Sequence, residues 1–433
     1  MKRILSVASA ATVGLVLAAC GGGGDPAPAG TTGGGNAAAG DASEVQVVTW
    51  WAQGSEKAGL EALQKIFTEQ HPDTKFVNAA LAGGGGSQAK QKLQADLQAG
   101  NPPDTFQAHA GAELTDYIDA AQIEDVSGLY DEFNLKSAFP QNLIDRLTVD
   151  GKIYSVPSNI HRANVVWANP TVLKEAGITS TTAPADLDAW IADMEKVKAA
   201  GKTPITLGMD WTQSQLLETI LISDLGPEKY NGLWDGSTDW AGAEVTTAIG
   251  HFQKIVALSN TDRDGLDWEP AMQKVIDGQA AYKVMGDWAV AAFDAQKKTE
   301  GTDWIWFPVP GQENVFDFLA DSFTLPVGAK HPGGTKAWLQ TISSAEGQTA
   351  FNKVKGSIPA RTDVDVAEFS DYQQKAMEAF KSDTIVSSLA HGAAAPVAVS
   401  TAINKAVVKF TQGASDAATF QKELVAATAS LKG

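Results

Sequence analysis

Three stretches of the chain set an indole beside polar groups where the backbone is about to turn. They are Trp50-Trp51 with Glu56, Trp268 between Asp267 and Glu269, and Trp288 directly after Asp287. A core tryptophan normally belongs to a periodic apolar stripe, as Trp190 does with Leu187, Ile191, Met194 and Val197. These others sit at strand ends or helix starts, next to glycine. Indole faces beside fixed donors and acceptors suit a pyranose, whose C–H faces want an aromatic ring and whose hydroxyls want Asp, Glu, Asn, Gln, His or Lys. The chain holds 12 Trp against 6 Tyr, and such a pocket would account for part of that excess.

Other chemistries fit less well. Gly83-Gly84-Gly85-Gly86 continues as Ser87-Gln88-Ala89-Lys90, so it is neither a P-loop nor a dinucleotide fingerprint. It reads as a loop whose backbone can approach a ligand closely. Asn260-Thr261-Asp262-Arg263-Asp264-Gly265 begins like a calcium loop, but the position that needs a bidentate Glu is Ala271. The expectation there is a turn after a helix, with solvated acids. No nucleophile elbow or zinc signature occurs, and no two of the six His stand at HExxH spacing. The expectation is a binding protein, not an enzyme, with no metal and no cofactor. Two carboxylates flanking one site would be needed for a secreted carbohydrate-active enzyme, and counting acids neither assigns nor removes such a pair.

The 433 residues carry 33 Lys and Arg against 51 Asp and Glu, a net charge of −18. That field repels phosphates, so nucleic acid is not an expected partner. With one cysteine, neither an internal disulfide nor a cysteine metal site is available. That cysteine follows Lys2-Arg3, a short apolar run over Ile4 to Ala19, and Leu17-Ala18-Ala19, and it precedes Gly21. The pattern resembles a bacterial lipobox, with Cys20 the lipidated residue; a plain secretory peptide cleaved after Ala19 is the alternative. Gly21 to Ser43, nearly all Gly, Ala, Pro, Thr and Asp, reads as a tether with a root-mean-square reach of about 25 Å. The folded part is then expected outside the cytoplasm, held near a membrane by lipid.

Elements that could position the tryptophans follow from periodicity. Val45 to Trp51 reads as a strand, and Ser55 as the N-cap of a helix carrying Leu60, Leu63, Ile66 and Phe67, stopped by His71-Pro72. Lys75-Phe76-Val77 and Thr105 to His109 read as strands, Ser87 to Ala99 as a helix. Such alternation predicts a parallel sheet whose ligand side lies beyond its carboxyl ends, where Trp50, Trp51, Glu56, Gln107 and His109 would converge. A second α/β pattern starts near Arg162, with strands at Asn164–Trp167, Pro204–Gly208, Ala280–Met285 and Trp304–Phe307 and helices through Leu187–Val197 and Val245–Val256. After about residue 370 the pattern is helical. About 390 ordered residues exceed what one core usually holds, so two α/β lobes are expected.

Several motifs, in this order, carry a resemblance: Val48-Thr49-Trp50-Trp51 with Ser55-Glu56; Pro102-Pro103-Asp104-Thr105-Phe106-Gln107-Ala108-His109-Ala110-Gly111; Asn159-Ile160-His161-Arg162-Ala163-Asn164; Met285-Gly286-Asp287-Trp288-Ala289; Leu319-Ala320-Asp321-Ser322-Phe323; and Lys355-Gly356-Ser357-Ile358-Pro359-Ala360-Arg361. From about Val45 onward the chain resembles the extracellular solute-binding proteins of ABC importers, in the maltose-binding-like group and nearest the glucose- and mannose-binding proteins. The resemblance implies an α/β, two-lobe periplasmic-binding-protein fold with a ligand cleft and three hinge crossings, near Asn159–Arg162, Asp317–Leu319 and Ala360–Asp363. The implied organisation is a leader over 1–20, a tether over 21–43, a first lobe of 44–160 plus 319–360, and a second of 161–318 plus 361–433. The implied sugar contacts are Trp50, Trp51, Glu56, Gln107, His109, Asp321 and Lys355 from the first lobe and Trp268, Trp288 and His391 from the second. The implied partners are a monosaccharide and a membrane permease, with the receptor a monomer; a disaccharide or longer sugar is the alternative ligand. Met209-Asp210-Trp211-Thr212-Gln213 departs from the pattern, with Met where a more polar approach to Trp211 is expected, so that loop receives no role.

Overall fold

The computed structural model describes residues 40–83 and 86–432. The leader, Cys20 and most of the predicted tether lie outside them, as do Gly84 and Gly85. The first sheet has five strands in the order Lys75–Asn78, Glu44–Val48, Thr105–His109, Asp321–Thr324, Ser155–Pro157. The first three are parallel, as the alternation of strand and helix requires, but Asp321–Thr324 runs antiparallel to both of its neighbours. The sheet is therefore mixed rather than parallel, because its last two strands come from distant parts of the chain. A second sheet orders Ile305–Pro308, Val165–Ala168, Ala280–Met285, Thr203–Ile205. A third joins Thr384–Ser387, Val315–Leu319 and His161–Arg162.

The chain passes from the first sheet to the third between Pro157 and His161, and returns through the single residue Ala320. Ile160 and Ile358 bridge beside these passages. Two strands thus pair within different sheets yet abut end to end, so residues at their junction are buried on all sides: Asn159, His161, Asp317 and Asp321 are each at most 3 % exposed.

Local sequence explains the main elements. The helix Gly54–Gln70 buries Leu60, Leu63, Ile66 and Phe67 along one stripe and stops at His71, ahead of Pro72. The predicted Ser55 cap is not made. The helix starts at Gly54 with Gln53 at the cap position, and Ser55 Oγ is buried with no hydrogen-bond partner among the described residues. Val45 to Trp51 is strand only to Val48, which leaves both tryptophans in the connection to that helix. The helix Asp210–Asp235, not expected from periodicity, is buried on nearly all sides over its first half and breaks at Gly226-Pro227. The Asn260–Gly265 turn follows the helix Ala243–Ala257. Its acids serve protein partners: Asp262 takes Lys274 at 2.9 Å, and Asp264 takes the amides of Gln213 and Gln412 at 2.9 and 3.1 Å. No helix among the described residues is long and apolar enough to cross a membrane.

Candidate functional site

Where the two strand systems face one another, four indoles enclose a cavity of ≈ 60 Å³ accessible to the centre of a water molecule. Trp50 reaches it from the connection after the first strand, and Trp211 from the first turn of the Asp210–Asp235 helix. Trp268 comes from the start of the helix Trp268–Ile276, and Trp288 from the turn after Ala280–Met285. The last placement is the carboxyl end of a strand in its sheet, where ligands are met. Polar groups fill the gaps between rings: Glu56, His109, Asp321 and Lys355 beside Trp50, and Asp267, Glu269, His161 and His391 opposite. Gly83 and Gly86 border the opening. Gly86 is in the left-handed region, and a Cβ on it would fall 2.8 Å from the Trp50 ring. Gly54 is equally constrained, since a Cβ there would meet Glu269 Oε1 at 2.0 Å.

Two predicted contacts stand apart from the cavity. Trp51 has no exposed surface; its ring packs at 4.5 Å from Phe351 and 5.4 Å from Phe323, in the core beneath the first sheet. The backbone bends at Trp50, where the Ala52 N–H donates to the Trp50 carbonyl at 2.8 Å, and the two neighbouring indoles end in different surroundings. Gln107 lies behind the wall. Its Nε2 donates to Asp321 Oδ1 at 2.8 Å, while its Oε1 accepts from Thr49 Oγ1 and from the Trp50 N–H at 3.3 Å. It therefore holds Asp321 and Trp50 in place. The other eight predicted side chains border the cavity. Trp211, left without a role from the sequence, borders it too, its Nε1 donating to Asp267 Oδ1 at 3.4 Å. His161 and the acids Asp267 and Glu269 line it as well.

The electrostatics follow from burial and pairing. Burial alone would raise Asp321, but hydrogen bonding and charge from His161, aided by His109 and Lys355, hold it well below the usual carboxylate range. Asn159 Nδ2 and His161 Nε2 converge on Asp321 Oδ2 at 2.9 and 3.2 Å. Burial opposes charge on His161, yet Asp287, which takes Nδ1, together with Asp321 raises it. The result is a buried row of Asp287, His161 and Asp321 spanning the strand passages. Burial raises Glu56, against the charge of Lys355 at 3.0 Å. Lys355 also lies 5.4 Å over the Trp288 ring, a cation–π contact. Burial would raise Glu113, but Lys90 and His109, each at 2.8 Å, bring it down to about 2. Burial and then the neighbouring imidazoles keep His391 neutral.

This arrangement of ring faces, fixed acceptors and a few cations suits an uncharged polar ring. Residues 51–349 match the bacterial extracellular solute-binding protein family, and the chain belongs to that family. It is 34 % identical to an uncharacterised ABC-transporter extracellular-binding protein of Pyrococcus horikoshii, over 82 % of this chain and 80 % of that one. It is 33 % identical to a probable sugar-binding periplasmic protein of Mesorhizobium japonicum, over 86 % of this chain and 90 % of that one. Among solved structures it resembles a chitin oligosaccharide binding protein with a TM-score of 0.80 and 22 % identity, over 91 % of this chain and all of that one. The fold is the two-lobe periplasmic-binding-protein fold.

Proposed function

We propose that this protein is the extracytoplasmic sugar receptor of an ABC importer, holding one monosaccharide, glucose or a close epimer, between lobes that close and deliver it to the membrane permease. The size of the enclosed space carries the monosaccharide part. Four indoles and their polar neighbours line a space of only ≈ 60 Å³. A longer sugar needs a groove that continues past the first ring. The names of the Mesorhizobium relative and the chitin oligosaccharide neighbour support a sugar, and the latter favours the second reading, a disaccharide or longer chain. The proposed lobes are 44–160 plus 319–360 and 161–318 plus 361–433. Cys20 is the proposed lipid anchor and the receptor acts as a monomer. Calorimetric titration with glucose, mannose, galactose, maltose and chitobiose tests the reading. Saturable binding of one monosaccharide, without turnover on chromatography, is expected; a disaccharide binding tighter than every monosaccharide would overturn the choice of ligand.

A further inference from the structure

His391 sits on a turn closed by the N–H groups of Ala393 and Ala394, which donate to the Ser388 carbonyl at 2.9 and 3.0 Å. The ring is 7 % exposed and borders the cavity beside Trp288 and Trp211, at centroid distances of 5.2 and 5.7 Å. One ring nitrogen faces away from the cavity: Nδ1 lies 2.9 Å from Ser388 Oγ. That hydroxyl in turn lies 3.0 and 3.2 Å from the two oxygens of Glu218, on the long helix behind the wall. Glu218 Oε2 also accepts the Ala390 N–H at 2.8 Å. The other ring nitrogen, Nε2, is buried and has no hydrogen-bond partner among the described residues.

We propose that Glu218 and Ser388 are positioning residues that fix the tautomer of His391, with the proton on Nδ1 and the bare lone pair of Nε2 offered to a ligand hydroxyl. The direction follows from counting protons. A carboxylate only accepts, and a serine hydroxyl has one proton to give. Ser388 therefore donates to Glu218, and its remaining lone pair must take a proton from Nδ1. A neutral imidazole with Nδ1 protonated has nothing left on Nε2 but a lone pair. The site thus presents an acceptor at this point, whereas the Lys355 ammonium presents a donor elsewhere.

The charge state of the chain supports this direction. Burial raises Glu218 to about 7, opposed by the Ala390 N–H and the Ser388 hydroxyl. Asp317, beside it, is raised further by burial and by the Glu218 charge, with Arg162 the opposing influence. Of the two buried acids, Glu218 is the one met by donors, the Ala390 N–H and the Ser388 hydroxyl, whereas neither oxygen of Asp317 has a hydrogen-bond partner among the described residues, which favours the charge on Glu218.

The ligand half of this inference rests on the sugar reading; the tautomer half does not, and the test separates them. Histidine ¹⁵N spectra of the full chain are recorded without sugar in mildly alkaline buffer, with the His391 signals assigned by their loss in His391→Gln. The expected result is a protonated Nδ1 and a bare Nε2. Ser388→Ala should move the proton toward Nε2, and Ser388→Thr, which keeps the hydroxyl, should restore the original signals. A protonated Nε2 in the wild type would overturn the proposal, as would unchanged signals in folded Ser388→Ala. Titration with deoxy- and deoxyfluoro-glucoses then reads the ligand half. Fluorine cannot donate, so at one ring position both analogues should bind about tenfold weaker than glucose. If the fluoro analogue keeps affinity wherever the deoxy analogue loses it, Nε2 is not an acceptor for the sugar and the ligand half fails. If glucose and its epimers do not bind at all, the sugar reading falls while the ¹⁵N signals still decide the tautomer.

Discussion

Trp50 and Trp51 are adjacent in the chain and opposite in role, and the contrast gives a direct mutational test. Trp51 packs on Phe323 and Phe351 with no exposed surface, whereas Trp268 and Trp288 face the cleft. Trp51→Ala should cost about 3–5 kcal/mol of stability, as core indole truncations do. Trp268→Ala or Trp288→Ala should instead weaken sugar binding by about 1–3 kcal/mol, on the scale of base stacking on aromatic side chains. Thermal unfolding without sugar and calorimetry with it separate the two outcomes. If Trp268→Ala and Trp288→Ala both unfold early while their folded fraction binds normally, these rings are packing and not platform. The residue types of the site were legible in the sequence because an indole beside acids and glycine is a costly local choice. Which of two adjacent tryptophans faces the ligand was not, since period-two alternation ends at Val48 and nothing local sets the phase thereafter. Trp211 escaped for a similar reason. Its polar partner Asp267 is 56 positions away, and no short-range pattern records that contact.

Elements meet at His161, which ties the end of the Ala280–Met285 strand, through Asp287, to the start of Asp321–Thr324. Its raised pKa makes the contribution of this row depend on pH, with a definite sign. A histidine whose folded pKa lies above 6.5 stabilises the fold fully below that value and loses the effect as pH rises through the raised folded value. Asp321, lowered below 3.8, works in the opposite sense, contributing above that value and losing the effect only in strong acid. Mildly acidic buffer is therefore where the contributions of His161 and Asp321 are both present. His161→Gln should cost about 3–5 kcal/mol there, because it leaves two buried carboxylates without their cation. Its deficit in melting temperature should shrink as pH climbs; a deficit constant from mildly acidic to alkaline buffer would show that His161 is not charged in the fold. Strands such as Thr105–His109 and Ala280–Met285 were readable to the residue, because β-branched and aromatic runs bounded by glycine leave little choice. The antiparallel entry of Asp321–Thr324 was not, since strand order depends on pairings more than 200 residues apart.

At the scale of the whole molecule, anchoring and binding are separable in principle, and the composition says why. Cys20 precedes a stretch, Gly21 to Ser43, with no large apolar side chain, ahead of the folded body. Replacing Cys20 with Ala should release the protein from the membrane fraction with unchanged sugar affinity, and a variant still labelled by fatty acid would refute Cys20 as the lipid site. The cleft itself makes the larger demand. Glu56, Asp321 and Lys355 reach it from one side, and Trp211, Trp268, Trp288 and His391 from the other. In the open form proposed above, each set would be hydrated and apart, and closure would bring Lys355 over Trp288 and Glu269 against Gly54, as they lie here. A ligand that bridges both sets has its full contact energy only in the closed state, so it must shift the population toward closure. Two of the connections proposed to carry that motion are short, Pro157 to His161 and Ala320, so a hinge rotation of intact sheets is expected and not a refolding of either. Small-angle scattering should show the radius of gyration falling as the preferred monosaccharide saturates the protein, with secondary-structure content unchanged by circular dichroism. A radius that stays constant at saturation would mean that the two sides do not move relative to one another on binding. The sugar would then have to enter a preformed cavity already closed around it, which the ring of four indoles leaves little room to permit.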